Sequence, residues 1–191
     1  MRWNRVFAFM FLALFVADIV AFVQDGPWQY LFWACNHVTL LLAIAFWRRS
    51  GLLFTSIASV VFIPQLFWIV DFFVRLTGTQ FLGVTEYLFV PDYPAVWLVL
   101  SLKHLFLPFV AVWGVRRYGL AKEGLVGAFI YGIALLLVSY ALNPNYNINC
   151  AYQNCLTGLP IPSWLWTFGY PIVMAGLIWL QFILLKRYVR H

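Results

Sequence analysis

Six apolar runs divide the chain, at roughly residues 6–24, 31–47, 52–74, 95–115, 125–142 and 163–185. Each is about as long as the roughly 17 to 25 residues an α-helix needs to cross the hydrocarbon of a bilayer. A soluble core cannot absorb them. Hydrophobic residues make up 64% of the 191-residue chain and charged ones only 9%, too little polar surface to cover a water-soluble domain. In lipid every backbone N–H and C=O must be paired within its own segment, which makes each run a helix. The expected fold class is therefore all-α: a polytopic, six-transmembrane-helix bundle, with residues 1–191 forming one transmembrane domain.

Charge placement orients the bundle. Arg2 and Arg5 precede the first run, Arg48 and Arg49 separate the second from the third, Arg116, Arg117 and Lys122 separate the fourth from the fifth, and Lys186, Arg187 and Arg190 follow the sixth, so ten of the twelve basic residues fall on one side. The other connections carry Asp25, then Glu86 and Asp92, then no charge from Asn143 to Pro162. By the positive-inside rule both termini are cytoplasmic, and the expected location is a cell membrane, the inner membrane if the source is bacterial. A cleaved signal peptide is the competing reading of residues 1–24. Asp18 interrupts that apolar run and no small-x-small cleavage site follows, which argues against it.

The outward connections hold most of the loop length. Residues 75–94, rich in Thr and aromatics, have room for a short interfacial helix, and residues 143–162 are rich in Asn and Pro. The second loop contains Cys150 and Cys155, whose spacing permits a disulfide or leaves two free thiols. With no His and no further Cys in that loop, a zinc site is not expected, and no metal is assigned. No phosphate loop, dinucleotide fingerprint or haem-attachment motif is present, so no cofactor is expected. Topology accounts for the basic residues, so they give no support for nucleic-acid binding. The expected partners are membrane lipids, with a second copy or another membrane protein as further candidates.

Strongly polar residues cost roughly 2.5 to 3.5 kcal/mol at the centre of a membrane helix and are usually functional. Here they are Asp18 in the first span, Cys35, Asn36, His37 and Thr39 in the second, Gln65 and Asp71 in the third, and Ser101, Lys103 and His104 in the fourth. At about 1.5 Å per residue Asp71 lies roughly 6 Å, Asp18 roughly 9 Å, His37 roughly 10 Å and His104 roughly 14 Å from the outer ends of their helices. Four spans thus turn polar in the same half of the bilayer, which suggests one shared pocket. Helical spacing puts Cys35, Asn36 and Thr39 on one face of the second span and turns His37 away from it. Ser101, His104 and Pro108 share a side of the fourth span, which leaves Lys103 as a salt-bridge partner for Asp18 or Asp71. Plainer roles are open to several of these. Asp71 and Arg75 are spaced as an i, i+4 ion pair, Cys35 is small enough to be apolar filler, and a lone His in a span can simply tie helices together.

A thiol or hydroxyl beside a histidine is the minimum for covalent acyl chemistry. Thr39 or Cys35 is the candidate nucleophile and His104 the base, with Asp71 or Asn36 orienting the base or an oxyanion. Cys-Asn in span two (Cys35, Asn36), Pro64, Gln65, Trp68 and Asp71 in span three, Thr85 with Tyr87, Ser101 with His104, Leu107 and Pro108, and Asn147 with Asn149 together resemble a family of uncharacterised small bacterial multi-pass membrane proteins. The Cys/His/Thr patch in one span with a His in a later one is similar to the androgen-induced fatty-ester hydrolases and related acyltransferases. That resemblance implies an intramembrane Thr or Cys working with a His, which falls here on Thr39 or Cys35 and on His104. The functions open to such a chain are a lipid-ester hydrolase or acyltransferase, a non-catalytic assembly subunit and a small transporter. The transporter reading has no broken helix or duplicated half in its favour.

Overall fold

The computed structural model describes residues 2–156 and 160–190, and among these the regular structure is helical, with no strand. In chain order the elements are α1 (Arg2–Asp25), a 3₁₀ turn at Trp28–Phe32, α2 (Ala34–Arg48), α3 (Gly51–Leu76), a 3₁₀ turn at Glu86–Phe89, α4 (Ala95–Ser101), a 3₁₀ turn at Leu102–Leu105, α5 (Leu107–Tyr118), α6 (Gly124–Ala141), 3₁₀ turns at Pro144–Tyr146 and Ile148–Cys150, and α7 (Ser163–Arg190). Five helical stretches among the described residues are long and apolar enough to cross a membrane: Trp3–Gln24, Gly51–Leu76, Ala95–Tyr118, Gly124–Ala141 and Ser163–Val189. The chain is an integral membrane protein of the all-α, multi-pass kind. Residues 157–159 of the 143–162 loop, and the side chains of Arg2, Asp25 and Arg190 used in the charge argument, lie outside what is described.

Two of the six crossings differ from plain apolar helices. The second run was expected over 31–47, but α2 starts only at Ala34, because Trp33 is extended with ψ 134° and ends the preceding 3₁₀ turn. Its 15 residues span about 22 Å, against a hydrocarbon core of about 30 Å. The tighter 3₁₀ turn before it, at about 2 Å per residue, covers the rest. The fourth run, expected to be one helix, is broken between α4 and α5. Pro108 has no N–H to give the His104 carbonyl four residues earlier and its ring crowds that carbonyl, while in the first turn of α5 the missing N–H costs nothing. Leu102–Leu105 therefore tightens into a 3₁₀ turn, and the chain leaves helical geometry after it at Phe106, with φ −121°.

Pro64 and Pro171 lie inside α3 and α7 without ending them. A proline in a membrane helix is tolerated when a neighbour pairs the backbone groups it frees. One residue before Pro64, the Ile63 N–H donates to Oε1 of Gln181 from α7 at 2.7 Å, which ties the two helices together there. Gln181→Leu removes this bond between α3 and α7 and is expected to cost about 1 kcal/mol. Detergent-titrated unfolding checks this; an unchanged midpoint would show the bond to be dispensable.

Helix α3 is the centre of the bundle and packs against α2, α5, α6 and α7, while α1 packs chiefly on α2. Phe54–Val61 of α3 is buried at eight consecutive positions, so that turn is enclosed on every side. A side chain at Gly114 of α5 would sit in the Phe54 ring, which explains why the two backbones approach so closely there. Phe54 stacks on Tyr118 here and meets Phe46 edge-on. Tyr118 donates to Asn4 Oδ1 at 2.9 Å, and Arg116 donates to the Tyr188 hydroxyl at 3.0 Å. These contacts gather the N-terminal, α5 and α7 ends at one arginine-rich end, and residues 75–94 and 143–156 occupy the other, here called the loop end.

Candidate functional site

The break between α4 and α5 brings Lys103 and His104 inward. Lys103 is 4% exposed, and its Nζ donates to Asp18 Oδ1 of α1 at 2.5 Å and to Asn36 Oδ1 of α2 at 2.6 Å. Asn36 is held in turn by its Nδ2, which donates to the Tyr30 carbonyl at 2.7 Å. A lone ammonium in this setting would be too costly to keep charged, but opposite charges with hydrogen-bonded neighbours offset that cost. One cation therefore ties together α1, α2 and the broken span. Asp18 Oδ2 is buried with no partner among the described residues.

His104 is fixed in both tautomer and orientation. Its Nδ1 lies 2.6 Å from the Ser101 carbonyl oxygen. A carbonyl can only accept, so Nδ1 carries the proton and Nε2 of the neutral ring presents its lone pair. No described residue hydrogen-bonds to Nε2. The ring stacks on Trp68 of α3, with centroids 4.4 Å apart and planes 16° from parallel. Trp68 is anchored by its indole N–H, which donates to the Tyr87 hydroxyl at 3.0 Å. Burial pushes the Tyr87 phenol above its ordinary range, and that of Tyr93 likewise, so both are neutral donors at physiological pH. The Ser101 hydroxyl interacts with both phenols.

The remaining sequence candidates divide into several groups. Cys35 is half-buried in the first turn of α2, its Sγ 3.6 Å from Asn36 Oδ1, and it interacts electrostatically with Lys103 and Tyr87. Thr39 is fully buried, and its hydroxyl donates to the Asn36 carbonyl at 2.6 Å, as buried Thr often does within a helix. Asp71 does not orient His104 or pair with Arg75. Its oxygens accept four hydrogen bonds from the loop: from the N–H of Leu82 at 2.6 Å, Gly83 at 3.1 Å and Thr85 at 2.8 Å, and from the Thr85 hydroxyl at 2.7 Å. Arg75 pairs instead with Glu86 at 3.1 Å. Gln65 is buried with its Oε1 unpaired among the described residues, and His37 packs edge-on against Phe32.

Asp71 nevertheless shapes the site indirectly. It folds residues 82–85 onto the end of α3, and that brings Tyr87 to Trp68. Reading the sequence for titratable groups passed over this role, and also the platform role of Trp68. The available signal was spacing: Gln65, Trp68 and Asp71 recur every third residue and share one face of α3. At the same end of the bundle Cys150 and Cys155 form a disulfide, with Cα atoms 5.6 Å apart. Among the described residues no group of three or more His, Cys, Asp or Glu side chains is arranged to hold a metal. No protein family, no curated protein and no solved structure matches this chain.

Proposed function

We propose that this membrane protein transfers acyl groups from lipid esters, with Cys35 as nucleophile and His104 as general base. The observation that supports this most directly is the His104 ring, held by Ser101 and Trp68 with its Nε2 lone pair unengaged among the described residues. An enzyme orients a histidine base in the same way, by occupying one nitrogen so that the other is free to take a proton. Cys35 suits the nucleophile role better than Thr39, because the Thr39 proton is engaged by the Asn36 carbonyl inside α2. In the first step the Cys35 thiol gives its proton to Nε2, the sulfur attacks the ester carbonyl carbon, the C–O bond breaks, and the leaving alkoxide takes the proton back. The thioester then passes its acyl group to water or to another hydroxyl. The substrate is a lipid because the site lies among membrane-spanning helices. The positive-inside rule puts the loop end, and hence this chemistry, in the outer leaflet. The resemblance to fatty-ester hydrolases points to the same pair of residue types.

Purified protein in nanodiscs containing a phospholipid with an isotope-labelled acyl chain tests the proposal. The expected result is a hydroxylamine-labile acyl group on Cys35, absent in Cys35→Ala and retained in Thr39→Ala. If no acyl-cysteine forms and a stoichiometric membrane partner co-purifies, the polar cluster serves assembly instead.

A further inference from the structure

Helix α2 starts without a cap of its own. Trp33 stands at its N-cap position and contributes no side-chain hydrogen bond. The first N–H groups of a helix have no acceptor within it, so a partner must come from elsewhere. It comes from the far side of the sequence: Asn149 Oδ1 accepts the Ala34 N–H at 2.8 Å. The same amide donates through Nδ2 to the Phe32 carbonyl and to the Ser139 hydroxyl of α6, both at 3.0 Å. One side chain thus grips the backbone on both sides of the Trp33 break and ties it to a third helix.

The conformation of Asn149 is itself enforced. Its φ is 52°, with Asn147 at 42° and Cys150 at 59°, three left-handed non-glycine residues within four positions. Such a run persists only where its surroundings hold it. Here the Cys150–Cys155 disulfide closes the loop, and Asn147 Oδ1 accepts the N–H of Tyr152 at 3.0 Å and of Gln153 at 2.9 Å. From α7, Trp166 donates to the Cys150 carbonyl at 2.6 Å and Tyr170 to the Asn149 carbonyl at 2.5 Å.

Cys35 follows Ala34 directly. We infer that Asn149 is a positioning residue for Cys35, and that the Cys150–Cys155 disulfide regulates Cys35 by keeping Asn149 in place. The inference rests on the proposed function only in giving Cys35 a catalytic role. Opening the latch takes a dithiol: two electrons and two protons pass to the bridge, the S–S bond breaks into two thiols, and the dithiol becomes a disulfide. The loop then loses its covalent closure, Asn149 releases the Ala34 N–H, and the first turn of α2 frays around the thiol.

Alkylation of Cys35 by a maleimide reads this directly, because Cys35 is the free cysteine of the oxidised chain. Loss of a helix cap, about 1 to 1.4 kcal/mol, corresponds to roughly five- to tenfold faster alkylation in Cys150→Ser/Cys155→Ser. Asn149→Ala is expected to match that rate with the bridge intact. Asn149→Asp keeps the acceptor for Ala34 but replaces the donor to the Phe32 carbonyl with a second oxygen, so it is expected to alkylate faster than the wild type and no faster than Asn149→Ala. If the double-serine variant does not fold, wild-type protein reduced by a dithiol and desalted before alkylation replaces it, with the modified cysteine mapped by mass spectrometry. Equal rates in all variants overturn the inference, and so does fast alkylation on bridge opening that Asn149→Ala does not reproduce. Neither readout needs turnover. Rates that respond in the absence of any acyl-Cys35 would leave the latch standing and reject only the acyl-transfer reading.

Discussion

Lys103→Met alone is expected to destabilise the protein by about 3 to 5 kcal/mol, the usual cost of removing one partner from a buried ion pair. Asp18 is fully buried, and its Oδ1 accepts from Lys103 at 2.5 Å. Without that ammonium the carboxylate is left charged in a dry interior or must take up a proton. Asp18→Leu is expected to be as harmful, since it strands the ammonium. The double variant removes both charges together. Its remaining cost is the Asn36 oxygen left without the donor that now lies at 2.6 Å, about 1 to 3 kcal/mol. Most of the stability lost in each single variant should therefore return in the double, as read by detergent-titrated unfolding of the four proteins. Single variants as stable as the wild type would mean that the pair faces water and does not join α1 to the broken span.

That pair explains how a membrane span can be interrupted without falling apart. The 3₁₀ segment at Leu102–Leu105 gives up regular i→i−4 bonding in the middle of a crossing. The loss is made up by what the break releases: the Ser101 carbonyl takes the His104 N–H, and Lys103 reaches across to two other helices. A continuous helix would hold the Ser101 carbonyl in its i→i−4 ladder and keep it from His104. The break therefore does more than tolerate the polar residues; it creates the orientation in which the imidazole has one nitrogen engaged and one free.

The membrane class and the number of apolar helices were legible because hydropathy over about 20 residues is a local property, fixed by the residues of each run alone. The two irregular crossings were less legible. The break falls beside one proline, Pro108, acting on a carbonyl four residues back, while Pro64 lies inside α3 without ending it, with Gln181 of α7 accepting the neighbouring Ile63 N–H. Nothing near either proline in the sequence distinguishes the two outcomes, and the Gln181 contact beside Pro64 comes from 118 residues away. The same limit applies to the site. Asp71 followed by Arg75 at helical spacing reads as a local pair, yet backbone donors of a loop are better placed and capture the carboxylate first. Of the two acids open to Lys103, the structure selects Asp18, whose oxygens no loop claims. Helical direction was a sounder guide than residue type in the second span: His37, the most conspicuous residue there, packs on Phe32 away from the cluster.

His104→Gln is expected to lower acyl transfer by roughly a hundred- to ten-thousandfold, the usual contribution of a general base. Glutamine can still donate to the Ser101 carbonyl, so the backbone contact at 2.6 Å has a substitute and the fold should survive. What glutamine cannot do is accept and return a proton. The wild-type rate should therefore fall on the acid side, where protonation of Nε2 removes the base, and that limb should be absent from whatever activity His104→Gln retains. Trp68→Leu separates orientation from basicity: it keeps the imidazole but removes the ring on which it stacks at 4.4 Å. Its rate should drop while the acid limb persists, because the base is present but poorly held. If His104→Gln instead turns over at the wild-type rate with the same pH profile, the imidazole only ties helices together and the proton must go elsewhere.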